Sequence, residues 1–285
     1  MSILSIQSHV VFGSVGNSAA VFPLQRMGHD VWPINTVEFS NHTGYGAWRG
    51  KTLEADLVYS LVHGLEERNV LPRCRAVLSG YLGNAQIGNA VSNTVDIVKT
   101  VNPSALYCCD PVMGDIGRGL YVNSDIPGIF SDNLIKRADI ITPNHFELDL
   151  LTGLDTKNIK NFQEAIAMLH NKGPRVILVT SYHEKNAKPK TLDMIVSDGN
   201  EQWRVSTPEI HFKSIISGTG DLCSAVFLSR YLEKRDIKQA LEMTAASMYG
   251  VLEATHKAGE RELRIVAAQN EFINPANTFI ASKYP

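Results

Sequence analysis

Residues 217–228 read SGTGDLCSAVFL, two glycines and a carboxylate running straight into an apolar stretch with helical spacing. Gly-rich turns that enter helices are natural anion sites, because the first-turn N–H groups are unpaired and the positive end of the helix dipole faces outward. The spacing predicts a helix from about Gly220 to Lys234 whose N-terminus opens onto a site. Asp221 stands in its first turn, where its charge opposes the anion such a turn would hold. Asp is also favoured at helix N-termini. A loop shaped by Gly218 and Gly220 and capped by Asp221 therefore fits this stretch equally well when it is taken alone.

Upstream, short apolar runs ending in Gly, Asn, Asp or Pro recur as ILSIQS, VWPINTVEF, AVLSGYLG, LYCCDPVMG, DIITPN and VILVTSY. Between them lie NSAAVFPLQRMG, LEADLVYSLVHGLEERN, NAVSNTVDIVKTVNP and FQEAIAMLHNKG, whose apolar residues fall three and four apart. The alternation predicts an α/β fold, a mostly parallel sheet wrapped by helices. After Tyr182 the segment TLDMIVSDGNEQWRVSTPEI alternates around Asp-Gly-Asn, which predicts an antiparallel hairpin. A second long helix is expected from about Ile237 to Thr255. With no repeat, low-complexity tract or linker, residues 1–285 are expected to form one domain. Ligands of open α/β sheets bind beyond the carboxyl ends of the strands. That places Ser8 and His9, Phe39 to Gly44, Tyr81 to Gly83, Asp110 to Asp115, Thr142 to Glu147 and Thr180 around one shared site.

The composition, 44% hydrophobic and 20% charged, is that of an ordinary globular chain. Lys and Arg number 27 against 29 Asp and Glu, so no basic excess points to nucleic acid and no acidic block to a solvated tail. Cys74, Cys108, Cys109 and Cys223 form neither a CxxC pair nor a His/Cys cluster with metal spacing, which favours reduced thiols in the cytoplasm. MSILSIQSHVVFG lacks a charged leader before a long apolar stretch, and no window reaches membrane-spanning length. A cytoplasmic protein without membrane contact is expected.

GxxxxGK[ST] is absent, and Gly13 and Gly16 in FGSVGNS have the wrong spacing for GxGxxG, so neither a P-loop nor a dinucleotide fold is indicated. In CCDPVMGD an apolar strand ends at Asp110, with Asp115 in the following turn. Carboxylates there suit magnesium held through water beside a nucleotide, while hydrogen bonds within the turn explain either residue alone. In TPNHFELDLLTG, Asn144 and Glu147 have the spacing of a capping box, and the same position places them near a phosphate or metal. NTVEFSNHTGYG and SGYLG bring Phe39, Thr43, Tyr45 and Tyr81 to a heteroaromatic ligand or to a packed loop. His42, without a second His or Cys at ligand spacing, is expected to hydrogen-bond within its loop.

In order along the chain, IQSHVVFGSVGNSAA, NTVEFSNHTGYG, SGYLG, CDPVMGD, TPNHFELDLLTG and SGTGDLCSAVFL resemble the pyridoxal kinases of the ribokinase-like superfamily, above all the bacterial subfamily with NHT and GYLG blocks. The resemblance covers nearly the whole chain. It implies a three-layer ribokinase-like fold, transfer of a phosphoryl group from ATP to the 5′-hydroxymethyl group of pyridoxal, Mg2+, optionally a monovalent cation, and a homodimer. Asp221 matches the catalytic base. Ser8, Thr43, Gly44 and Tyr81, with Asp221, match positions around the pyridoxal ring. Asp110, Thr142, Glu147 and Thr180 match the nucleotide and metal side, Asp110 and Glu147 on the metal. Thr207, Pro208, Glu209 and Ile210 fall where the family meets adenine, and Gly218 and Gly220 form the anion hole.

Two features depart from or extend the pattern. Gly44 stands where some relatives carry a larger polar side chain, and Arg118 lies in DIGRGLYVNSD, the family's flap over the phosphates. The runner-up is a hydroxymethylpyrimidine kinase of the same superfamily, a branch that resembles a different N-terminal block and often carries Cys in place of Asp221. A sugar kinase is disfavoured because no lid strands are evident between the first strand and helix. A protein that binds pyridoxal or its phosphate as a carrier retains the same residues.

Overall fold

The structure is a computed structural model describing residues 2–184 and 190–285. Each apolar run becomes a strand: β1 (Ser2–Phe12), β2 (Asp30–Asn41), β4 (Cys74–Ser79), β5 (Leu106–Cys109), β8 (Ile140–Ile141) and β9 (Val176–Tyr182), with β3 (Gly50–Thr52) following β2. The Asp-Gly-Asn segment forms the antiparallel hairpin of β10 (Thr191–Ser197) and β11 (Gln202–Pro208), extended by β12 (Ser282–Lys283). All ten belong to one sheet in the order β12-β11-β10-β9-β8-β5-β4-β1-β2-β3. The six strands from β9 to β2 in that order are parallel. β6 (Gly114–Asp115) and β7 (Gly119–Leu120) make a separate small hairpin.

Helices cover both faces, as parallel strands buried on both sides require. Leu4, Ile6, Val77, Tyr107, Cys109, Ile141, Ile177 and Val179 pack on one face with α2 (Ala55–Glu67), α3 (Ala85–Val101), α6 (His145–Thr152) and α7 (Ile159–Lys172). The same core includes α4 (Ile126–Ile129) and α5 (Ile135–Arg137), which flank a π turn at Phe130–Leu134. Their neighbours along the strands, Ile3, Ala76, Leu78, Cys108, Ile140, Val176 and Leu178, pack on the other face with α1 (Asn17–Arg26), α8 (Thr219–Lys234) and α9 (Ile237–Ala258). The period of two along each strand thus separates two cores and produces three layers.

The chain leaves β1 for β2 on one side, then builds β4, β5, β8 and β9 in turn on the other. This reversal opens a crevice at the carboxyl ends of β1 and β4, the place where ligands bind in such sheets. Only residues 13–16 separate β1 from α1, so no lid strand is inserted there. β1 instead runs past Ser8, with a register shift between Gln7 and His9 against β2. The alternation read as ILSIQS understates this strand because its last residues pair with β2 alone.

Candidate active site

A cavity of about 610 Å³ opens at the carboxyl ends of the parallel strands. Of the residues expected from sequence, Ser8, Thr43, Tyr81, Asp110, Thr142, Glu147, Thr180, Thr207, Pro208, Glu209, Ile210, Gly218, Gly220 and Asp221 all line it. Gly44 does not. It lies beside them in a 3-10 turn, Thr43–Tyr45, capped by His42, whose Nδ1 accepts the Gly44 N–H at 3.1 Å. His42 is thus the loop hydrogen-bonder its sequence context implies, though its ring also borders the cavity.

The N-terminus of α8 forms one wall. Gly218 begins it at φ 84°, and a Cβ there would lie 1.7 Å from the Ser14 carbonyl oxygen, so only glycine fits. The first bond counted back to this turn is Leu222 N–H to Gly218 O at 3.0 Å, leaving the N–H groups of Thr219, Gly220 and Asp221 without intrahelical partners. Asp221 is the third residue of the helix and does not cap it, since no side chain bonds across the N-terminus. Half-buried, its carboxylate lies near the Gly16 N–H, and desolvation holds its pKa above the ordinary range.

Asp110 ends its strand beside this helix, its Oδ2 buried and without a hydrogen-bond partner. A Cβ at Gly220 would lie 3.7 Å from that oxygen. Burial, then the charge of Asp221, raises the Asp110 pKa to about 8, opposed by hydroxyl hydrogen bonds from Ser224 and Thr142. Those two hydroxyls lie 2.8 Å apart. Glu147, buried like Asp110, completes a row of carboxylates with the half-buried Asp221. Its Oε2 accepts the Asn144 N–H and its Oε1 the Met113 N–H, each at 2.9 Å, while the Asn144 side chain accepts the Glu147 N–H. The capping box is therefore real, and the same residue stands at the cavity with its pKa pushed up by burial and then by Asp110.

The two ends of the cavity differ. Around Ser8 and Thr43, Val10, Val15, Val37 and Phe39 form a small apolar cluster packed by Tyr81, suited to a flat ring. Beyond residues 207–210, Phe212 and Ile215 face Met248 and Leu252 of α9. Sequence reading missed these last four: Met248 and Leu252 because apolar residues at helical spacing in α9 carry the signal of core, Phe212 and Ile215 because single apolar residues in a loop carry none. Asp115, Arg118 and Tyr121 of the β6–β7 region also reach the cavity. All four cysteines are buried and free. Among the described residues, no three His, Cys, Asp or Glu side chains converge to cage a metal, and no helix is long and apolar enough to cross a membrane.

A three-layer sheet with a glycine-led helix N-terminus and buried carboxylates at its carboxyl edge defines the ribokinase-like class of small-molecule kinase folds. A family model described as phosphomethylpyrimidine kinase matches residues 65–265. Over full length, the chain is 46% identical to pyridoxal kinase PdxY of Granulibacter bethesdensis (99% of each chain) and 43% identical to that of Deinococcus radiodurans (99% and 96%). Pyridoxal kinase of Leishmania donovani, solved with ADP and pyridoxamine, superposes with a TM-score of 0.91 at 29% identity, covering 100% of this chain and 99% of that one. The chain belongs to the pyridoxal kinase family.

Proposed function

We propose that the protein transfers the γ-phosphoryl group of ATP to the 5′-hydroxymethyl oxygen of pyridoxal, giving pyridoxal 5′-phosphate. The observation that carries this reading is the placement of the Asp221 carboxylate and the unpaired first-turn N–H groups of α8 on one wall of one cavity. Phosphoryl transfer is chiefly positioning and electrostatic stabilisation. Gly218 to Asp221 present N–H donors to the transferred group, and Asp221 takes the alcohol proton as the bond to phosphorus forms. Ring binding falls to the Ser8, Thr43 and Tyr81 end, and the apolar slot at Met248 and Leu252 suits the purine. Relatives solved with ADP and a B6 vitamer support the same ligand pair.

The unpartnered Asp110 Oδ2 fits a hard cation. Mg2+ bound with ATP would neutralise charge on the phosphates, and Asp110 is the residue to hold it. Glu147, with both oxygens already accepting backbone N–H bonds, serves more by fixing α6 than by direct ligation. A monovalent cation is compatible with this chemistry. The four buried free thiols support a cytoplasmic setting. Val11 and Phe12, 80% and 62% exposed at the end of β1, supply apolar surface for a homodimer.

The test is direct. ATP, Mg2+ and pyridoxal are incubated with the protein and the product's absorbance followed, with hydroxymethylpyrimidine, the substrate of the runner-up kinase, as the control. Turnover of pyridoxal is expected. Flat traces with clear pyridoxal binding would identify a carrier instead.

A further inference from the structure

The loop after α9 returns to the mouth of the cavity at Arg261 and Glu262, residues distant in sequence from every motif of the site. Glu262 is half-buried. Its Oε2 accepts the Ser14 N–H at 2.8 Å, and its Oε1 accepts the hydroxyl of Tyr45. Gly13 leaves the room for this, since a Cβ there would lie 2.8 Å from Glu262 Oε2. Arg261 adds a second contact to the same turn, its guanidinium 3.7 Å over the Tyr45 ring and its Nη2 donating to Gly44 O at 3.4 Å.

The two partners of Glu262 belong to opposite working parts. Tyr45 closes the turn that begins at Thr43, on the ring side of the cavity. Ser14 lies in the loop whose carbonyl stands against Gly218 and whose Gly16 N–H lies near the Asp221 carboxylate. Neither Glu262 nor Tyr45 lines the cavity, so their effect on the reaction passes through the residues they hold.

We propose that Glu262 is a positioning residue that ties the Thr43–Tyr45 turn to the loop of residues 14–16 and so sets the distance between the bound alcohol and Asp221. This rests on the pyridoxal kinase reading above. A one-ångström error in such alignment costs far more rate than the hydrogen bond itself is worth in stability. The tie reaches the ring side at Tyr45 and the loop behind Asp221 at Ser14, and touches nothing at residues 207–210, which separates it from general support of the fold.

The experiment uses the full chain and measures kcat and both KM values for Tyr45→Phe, Glu262→Ala and their combination. Tyr45→Phe removes one hydroxyl and is expected to raise the pyridoxal KM about 3- to 10-fold with the ATP KM unchanged. Glu262→Ala is expected to raise that KM similarly and to lower kcat about 10-fold or more, since it also frees the loop behind Asp221. Adding Tyr45→Phe to Glu262→Ala should then change nothing further, because the shared bond is already gone. Pyridoxal KM values within twofold of the unmodified enzyme, or equal changes in both KM values, overturn the proposal. Should Glu262→Ala not fold, Tyr45→Phe alone decides. If the unmodified protein binds pyridoxal without turning it over, the kinase reading fails separately and the same variants are read on pyridoxal Kd; absence of any pyridoxal binding overturns both.

Discussion

In the proposed reaction Asp221 escapes the repulsion implied by its place in the first turn of α8 if its carboxylate stays beside the Gly16 N–H and the helix N–H groups are left to the phosphoryl group. On that proposal the charge and the anion site share one turn without sharing one ligand. Asp221→Asn keeps the shape and removes the proton acceptor, so kcat is expected to fall about 10²- to 10⁴-fold with pyridoxal affinity nearly unchanged; titration calorimetry beside turnover assays checks both. Burial raises the pKa of Asp221, and only its ionised form accepts a proton. The acid limb of kcat/KM is therefore expected above the ordinary carboxylate range, and a limb near pH 4 would contradict the assignment. Gly218 is constrained by contact as well as by φ. Gly218→Ala, with its methyl driven into the Ser14 carbonyl, should lower the melting temperature and abolish most turnover, whereas an unchanged pair of values would show that the turn is not rigid.

At the level of elements, α6 shows how one local motif serves two scales. Asn144 accepts the Glu147 N–H and also donates from Nδ2 to Gly114 O at 2.8 Å, joining the helix to the β6–β7 hairpin. Asn144→Ala is expected to cost about 1 kcal/mol from the lost cap alone. Thermal melts should show a fall of roughly 2–4 °C, and the ATP KM should rise as the hairpin bearing Arg118 loosens. A larger fall with the ATP KM unmoved would mean the residue serves only the fold. The Asn-x-x-Glu spacing is legible in the chain by itself, since both partners lie within one helical turn. The Gly114 contact is not, because it depends on where a flap about thirty residues away comes to rest.

Across the whole molecule, Asp110, Glu147 and Asp221 arrive from three separate elements and share one low-dielectric wall. Without a bound cation, burial and the charge of Asp221 raise the pKa of Asp110 to about 8, against about 4 for an ordinary Asp, so the folded protein takes up this proton more readily than the unfolded chain. More protons are then bound when folded than when unfolded, so stability falls as pH rises through that window. Asp110→Asn removes the titrating group. Its melting temperature minus that of the unmodified protein should increase between pH 5 and pH 8, while turnover is lost; a difference that stays constant or falls as pH rises would contradict the burial argument.

Local sequence determined the alternation of strands and helices, the hairpin at Asp-Gly-Asn, the capping box and the glycine turn, because each depends on neighbours within a few residues. It also placed the site residues at strand ends, where a parallel sheet must bind its ligands. Sequence did not reveal β3 or β12, whose pairing comes from distant edges, nor Met248 and Leu252, whose apolar side chains serve a slot and a core alike. Only the tertiary structure brought the three carboxylates together and carried Glu262 back across 248 residues to Ser14. The physical reason is that helical and strand periodicity report which face is buried, while the partner on that face is chosen by the order in which the strands assemble.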